Sequence, residues 1–174
     1  MKKNLVFSAI LILIVFAFVS AQEKVALTEF TSANGKFSVK MPGKPQDQSE
    51  QIDSQDGPLD VHTFGVDVGK YGYVVQYNDY SDPVTSDEIE KILSAVRDGG
   101  SKQIQGKIVS EKTITRNGFP GKSIQVESGD LVYFEDCYMA GQRLYQVIFS
   151  MPVGEKMPPE AEEFRSSFQI KAQK

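Results

Sequence analysis

The fold is decided between Phe119 and Ser150, which read FPGKSIQVESGD, LVYFEDCYMA and GQRLYQVIFS in succession. A strand that covers a core buries every second residue, so alternation is the first test. From Leu131 to Met139, one side carries Leu131, Tyr133, Glu135, Cys137 and Met139, and the other Val132, Phe134, Asp136 and Tyr138. From Arg143 to Ser150, the two sets are Arg143, Tyr145, Val147, Phe149 and Leu144, Gln146, Ile148, Ser150. Large apolar groups on both sides mark central strands covered on each face. Ser128-Gly129-Asp130 and Ala140-Gly141 are too short for a parallel crossover, so the three runs form an antiparallel meander.

Before the meander, Asn34-Gly35 joins two extended runs, and Phe37, Val39 and Met41 alternate with lysines and a serine. That pattern is a hairpin with one buried face, closed by Pro42-Gly43-Lys44-Pro45, which cannot extend a ladder. Gln46 to Gln55 is polar and reads as an edge strand or a solvent-exposed crossing loop. Asp56-Gly57-Pro58 is a turn, and Leu59 to Val68 and Tyr71 to Tyr77 make a second hairpin about Gly69-Lys70.

One helix is expected next. Thr85 and Glu88 form a capping box, and Ile89, Ile92, Leu93 and Val96 fall on one stripe that should lie on the sheet. Gly99-Gly100 is expected to end it. Ile108 to Arg116 is a further strand, turned back into the meander by Asn117-Gly118. Pro159 suits the first residue of a short C-terminal helix whose Phe164 and Phe168 face inward, followed by a charged tail. The expected class is α+β: a mostly antiparallel sheet of about six strands, one main helix and a short C-terminal helix packed on it.

The chain opens like a targeting segment. Lys2 and Lys3 precede an apolar run from Leu5 to Val19, and Val19-Ser20-Ala21 supplies small residues for cleavage. The run is shorter than the roughly 20 residues of a spanning helix, so residues 1–21 are expected to be a signal peptide and 22–174 a single domain. An uncleaved anchor is the alternative. Cleavage removes two lysines and no acid, so the net charge moves from −4 to −6. An acidic chain is a poor ligand for nucleic acid or anionic lipid, which require clustered lysine and arginine. The expected location is outside the cytoplasm, periplasmic or secreted, without stable membrane insertion after cleavage.

Catalytic chemistry finds little support. His62 is the single histidine and Cys137 the single cysteine, so no Cys/His zinc site can form and no triad has more than His62 to use. His62, beside Phe64 and Val66, is better read as structural, and Cys137, among aromatics, as buried. Asp79 and Asp82 precede the helix without a calcium-loop pattern. Glu127, Asp130, Glu135 and Asp136 surround a hairpin and read as solubilising charge. No glycine-rich phosphate loop is present. No cofactor is expected.

Two features remain as binding candidates. Pro42-Gly43-Lys44 and Pro120-Gly121-Lys122 repeat one triplet. If both are loops at sheet ends, Lys44 and Lys122 would offer a positive pair to an acidic partner, the alternative being simple turn chemistry. Tyrosines, Tyr73 among them, suit either core packing or a groove for an apolar ligand, such as one between sheet and helix near Tyr73 and Ile92.

Four pieces together, Phe37–Pro45 (FSVKMPGKP), Gly118–Gly121 (GFPG), Gly141–Val147 (GQRLYQV) and Phe164–Ile170 (FRSSFQI), resemble small exported bacterial proteins of the PsbP-like type. That group includes DcrB-like periplasmic proteins and is related in fold to a Ran-binding nuclear-import factor. The resemblance implies an α/β/α sandwich and a non-enzymatic protein that binds or helps assemble an envelope or secreted protein. It transfers no catalytic residue.

Overall fold

The computed structural model describes residues 25–54, 57–82 and 84–171. The expected signal peptide and cleavage point, together with Gln55, Asp56 and Pro83, lie outside the described residues.

Seven strands form one sheet. In chain order they are β3 (Gln46–Ser54), β4 (Gly57–Val68), β5 (Tyr71–Asp79), β6 (Lys107–Arg116), β7 (Phe119–Ser128), β8 (Leu131–Ala140) and β9 (Arg143–Pro152). Their spatial order is β3-β4-β5-β9-β8-β7-β6, antiparallel at every step. A second sheet of three strands has β2 (Phe37–Met41) between β1 (Thr28–Ser32) and β10 (Gln169–Ile170). The expectation of about six strands in one sheet is therefore corrected. The amino-terminal hairpin leaves the main sheet and recruits Gln169–Ile170 after α2, while residues 172–174 of the expected charged tail lie outside the described residues.

The meander β7-β8-β9 sits in the middle of the sheet as its alternation requires, and the two faces bury different clusters. Phe37, Phe64, Tyr73, Val75, Tyr138, Tyr145, Phe149, Phe164 and Phe168 fill one side. The three-stranded sheet and helix α2 (Pro159–Ser167) cover it. Leu93, Ile124, Val126, Cys137, Met139 and Leu144 fill the other, beneath helix α1 (Ser86–Gln103). One helix on each face gives the α/β/α layering.

α1 begins as its sequence dictates. The Glu88 carboxylate accepts from the backbone N–H of Thr85 at 2.9 Å and from its hydroxyl at 2.7 Å. Its end is a correction: the helix runs through Gly99-Gly100 to Gln103. Chain reversal falls at Gln105, with φ of 52°, and the Gly106 N–H bonds the Ser101 carbonyl at 2.7 Å. Each glycine costs about 1 kcal/mol in a helix interior. Burial of Ser101 and packing of Ile104 in the cluster below hold the last turn in place.

The hairpin at Asn34-Gly35 forms, its turn lying between Ser32 and Phe37. The residue with positive φ is Lys36, at 51°. Gly35 serves close approach: a Cβ there would stand 2.6 Å from the Phe37 ring. The Tyr145 hydroxyl donates to the Gly35 carbonyl at 2.8 Å, tying this loop to the main sheet. Asn117-Gly118, both at positive φ, turns as expected. The Asn117 side-chain oxygen then accepts from the Ile170 N–H at 3.0 Å, which fixes β10.

Candidate functional site

Lys122 lies inside β7, so the second Pro-Gly-Lys triplet is strand and not the expected loop. Pro120 is tolerated because pairing with β8 starts one residue later, at Gly121 opposite Tyr138. Lys122 is 6% exposed and donates to Glu111 on β6 at 2.5 Å and to Glu90 on α1 at 2.7 Å. The two carboxylates hold its ammonium above the usual lysine range. Glu111 also accepts from Arg97 at 2.7 Å, and hydrogen bonds from Lys122 and Arg97 hold its carboxyl below the usual range. This network fastens α1 to the sheet, so Lys122 is an internal brace.

Tyr73 is 1% exposed, its ring 5.3 Å from Phe164 and 5.1 Å from Phe149. It belongs to the cluster under α2, whereas Ile92 packs in the cluster under α1. The two therefore lie on opposite faces of the sheet and cannot line one groove.

The acidic residues of β8 are also reassigned. Asp136 is 6% exposed and receives Arg165 of α2 at 2.5 and 3.2 Å, an inward pair joining helix to sheet. Gln146 donates to Glu135 at 2.8 Å, and burial pushes the Glu135 carboxyl up from its ordinary range. Glu127 and Asp130 are exposed, as expected of hairpin charge. His62 stacks on Tyr77 with ring centroids 4.6 Å apart. Tyr77 in turn lies 4.3 Å beneath the guanidinium of Arg143, which binds Asp79 through two bonds of 2.6 Å. Cys137 is fully buried. Among the described residues no three His, Cys, Asp or Glu side chains are grouped to hold a metal ion.

Lys44 alone of the three binding candidates faces solvent. It stands at the entrance to β3, on a cleft of about 360 Å³ lined by Gln46, Gln48, Thr63, Gly65, Asp67 and Val74. The cleft exists because α1 covers only part of its face, packing on β7 and β8 and leaving the β3-β4-β5 portion open. The register makes the contrast visible. One row crosses the sheet from Gln48 through Thr63, Gln76, Gln146 and Cys137 to Lys122 and Thr113. The Cys137–Lys122 end of that row lies at the helix, and the Gln48–Thr63 end lies open. Gln76 donates to Thr63 at 3.0 Å, so the polar groups of the open end are partly tied together.

The open part ends in β3, whose residues from Gln46 to Ile52 are all exposed. β3 and β4 together carry Asp47, Glu50, Asp53, Asp60 and Asp67 and no lysine or arginine. Of the two alternatives expected for this segment, an edge strand or a crossing loop, it is the edge strand. Eight of its nine residues are polar, Ile52 being the exception, and that composition is the signal of an edge solvated on both sides.

No family model and no curated protein matches this sequence. Among solved structures, the chain is similar to the solution structure of cyanobacterial PsbP (CyanoP) from Synechocystis sp. PCC 6803. The TM-score is 0.57 at 10% sequence identity, over 86% of this chain and 95% of that one. The protein has the PsbP-like fold, an α+β architecture of mostly antiparallel strands with two helices.

Proposed function

We propose that this chain is an exported, non-enzymatic binding or assembly factor for another envelope or secreted protein. The observation that supports it most is the PsbP-like fold combined with an open, polar third of the main sheet beside Lys44. The signal segment at residues 1–21 supplies the export half of the reading, and kinship with DcrB-like proteins and the Ran-binding import factor belongs to it as well. No helix among the described residues is long and apolar enough to cross a membrane. Lys44 is the residue of the original three that would meet a partner; Lys122 and Tyr73 would act only by holding the sheet's two covers.

In vivo cross-linking of the mature chain in its own host tests this reading. A specific protein adduct is expected, and adducts indistinguishable from those of an unrelated exported protein would overturn it. A carrier of a small apolar ligand is the second reading. Its place would be the cleft of about 410 Å³ between the first turns of α1 and the preceding loop, where Tyr80, Val84 and Ile92 offer apolar surface. Titration with a fatty acid, followed by amide chemical shifts at Val84 and Ile92, decides that alternative.

A further inference from the structure

Resting on the binding reading, we infer that the free edge of β3 accepts an extended, positively charged segment of the partner protein, which adds to the sheet as an eighth strand. An edge strand presents a row of backbone N–H and C=O groups on its outer side. β3 offers nine residues of such backbone, and among the described residues nothing pairs with its outer side. Strand addition draws affinity from those main-chain groups and specificity from alternate side chains.

Charge selects the occupant. None of Asp47, Glu50, Asp60 and Asp67 forms an ion pair with a described residue, although Asp60 accepts from Gln51 at 3.0 Å. A second copy joined β3 to β3 would bring acid against acid, which disfavours that pairing. Lysine or arginine on the incoming strand lies beside Asp47 and Glu50 of β3, with Asp60 and Asp67 one strand further in and the cation Lys44 before the first residue of β3. The other edge of the sheet is built to refuse a strand. β6 carries Lys107, Lys112 and Arg116, its Glu111 is occupied by Lys122 and Arg97, and a register shift between Ile108 and Ser110 breaks its ladder. The two edges therefore differ in both charge and regularity, and only β3 is regular, long and acidic.

The test uses the mature chain and three labelled ten-residue peptides: alternating Thr and Lys, alternating Thr and Glu, and the Thr-Lys peptide with alternate backbone amides methylated. Fluorescence anisotropy reads affinity, and amide hydrogen exchange reads where each peptide sits. The expected result is that only the unmethylated Thr-Lys peptide binds and that it slows exchange within Gln46–Ser54. Asp47 and Glu50 point to opposite faces of β3, so the lysines of the peptide meet one of them in either register. In Asp47→Lys/Glu50→Lys that attraction becomes a repulsion, and binding should weaken about fivefold, the sum of two modest surface interactions. Equal binding of the Thr-Glu or methylated peptide, protection confined to another element, or unchanged affinity in the double variant overturns the inference. So does salt-dependent self-association of the unlabelled chain that buries β3 against β6. A photoreactive residue at Ser49, compared with one at Val109, separates this outcome from failure of the proposed function. A specific partner attached at Val109 but not Ser49 removes β3 and leaves the binding role standing, whereas no specific adduct at either position counts against both.

Discussion

Glu111→Gln is the perturbation that most directly tests how α1 is held. Glu111 accepts from Lys122 at 2.5 Å and from Arg97 at 2.7 Å, with its side chain 26% exposed. At 4 Å and an effective dielectric of 20, one ion pair is worth about 4 kcal/mol before desolvation is subtracted. Exposed pairs retain about 0.2–1 kcal/mol, and removing one partner of a fully buried pair costs about 3–5 kcal/mol. Lys122 is buried yet keeps Glu90 after the change, so the expected loss is intermediate, about 2 kcal/mol. For a domain of this size that lowers the melting temperature by about 4–8 °C. Lys122→Met should cost much less, because Glu111 keeps Arg97 and the methionine occupies the same buried site. The double variant should then be more stable than Glu111→Gln alone, a favourable coupling of about 1 kcal/mol or more. Urea unfolding at pH 7, followed by far-ultraviolet circular dichroism, measures all three; the chain has no tryptophan to report instead. The pH dependence has a fixed sign. Glu111 has its carboxyl held below the ordinary value of 4.5, so its contribution is full above that value and is lost as pH falls through the folded value. The gap between wild type and Glu111→Gln should therefore close on acidification. A double variant less stable than either single one, or a gap that widens in acid, refutes the brace.

Glu135→Gln should have the opposite pH signature. Its folded carboxyl is raised by burial, so ionisation costs stability as pH climbs past about 4.5, and the variant should gain over wild type as pH rises in a thermal-melt series. Gly121→Ala should be severely destabilising, because its Cβ would stand 2.2 Å from the Cys137 carbonyl and 2.6 Å from the Tyr138 ring; failure to accumulate as folded protein is the expected outcome. Gly99→Ala should instead stabilise by about 1 kcal/mol in the same urea assay, since the residue is helical and its Cβ would meet nothing within 4 Å. Cys137, fully buried with its thiol pushed up to about 12, should resist Ellman's reagent until the chain unfolds, and rapid reaction under native conditions would contradict the packing under α1.

The central strands were legible because two-sided burial leaves a strong local imprint. Val132, Tyr138, Tyr145, Val147 and Phe149 alternate with Cys137, Met139 and Leu144, and each set found its own cluster. What stayed hidden depends on pairing between distant segments. Gln169–Ile170 is two residues long and becomes strand only because Ser38 and Phe37 are already extended beside it. The departure of β1 and β2 from the main sheet is likewise invisible locally, since their alternation is the same in either sheet. The end of α1 was misread because a glycine pair is a stop signal only when nothing downstream rewards continuing, and Ser101 and Ile104 do.

The candidate site shows the same limit from the side of charge. Two Pro-Gly-Lys triplets are indistinguishable as text, yet pairing separates them completely. After Gly43, φ of 88° turns the chain out of β2 and leaves Lys44 in solvent, while Gly121 is needed so that β7 can lie under Tyr138 and carry Lys122 into the gap beneath α1. A lysine's role here follows from which strand passes beside it. The acids of β3 reverse the case: their composition reads as plain solubility, and only their position on an unpaired edge turns them into a possible instruction for a partner. That distinction is measurable without knowing the partner. Moving the acids of Asp47 and Glu50 to lysine should leave the urea midpoint within about 0.5 kcal/mol of wild type, as surface changes do, while altering peptide binding. A large stability loss would instead mean that these charges hold the edge itself.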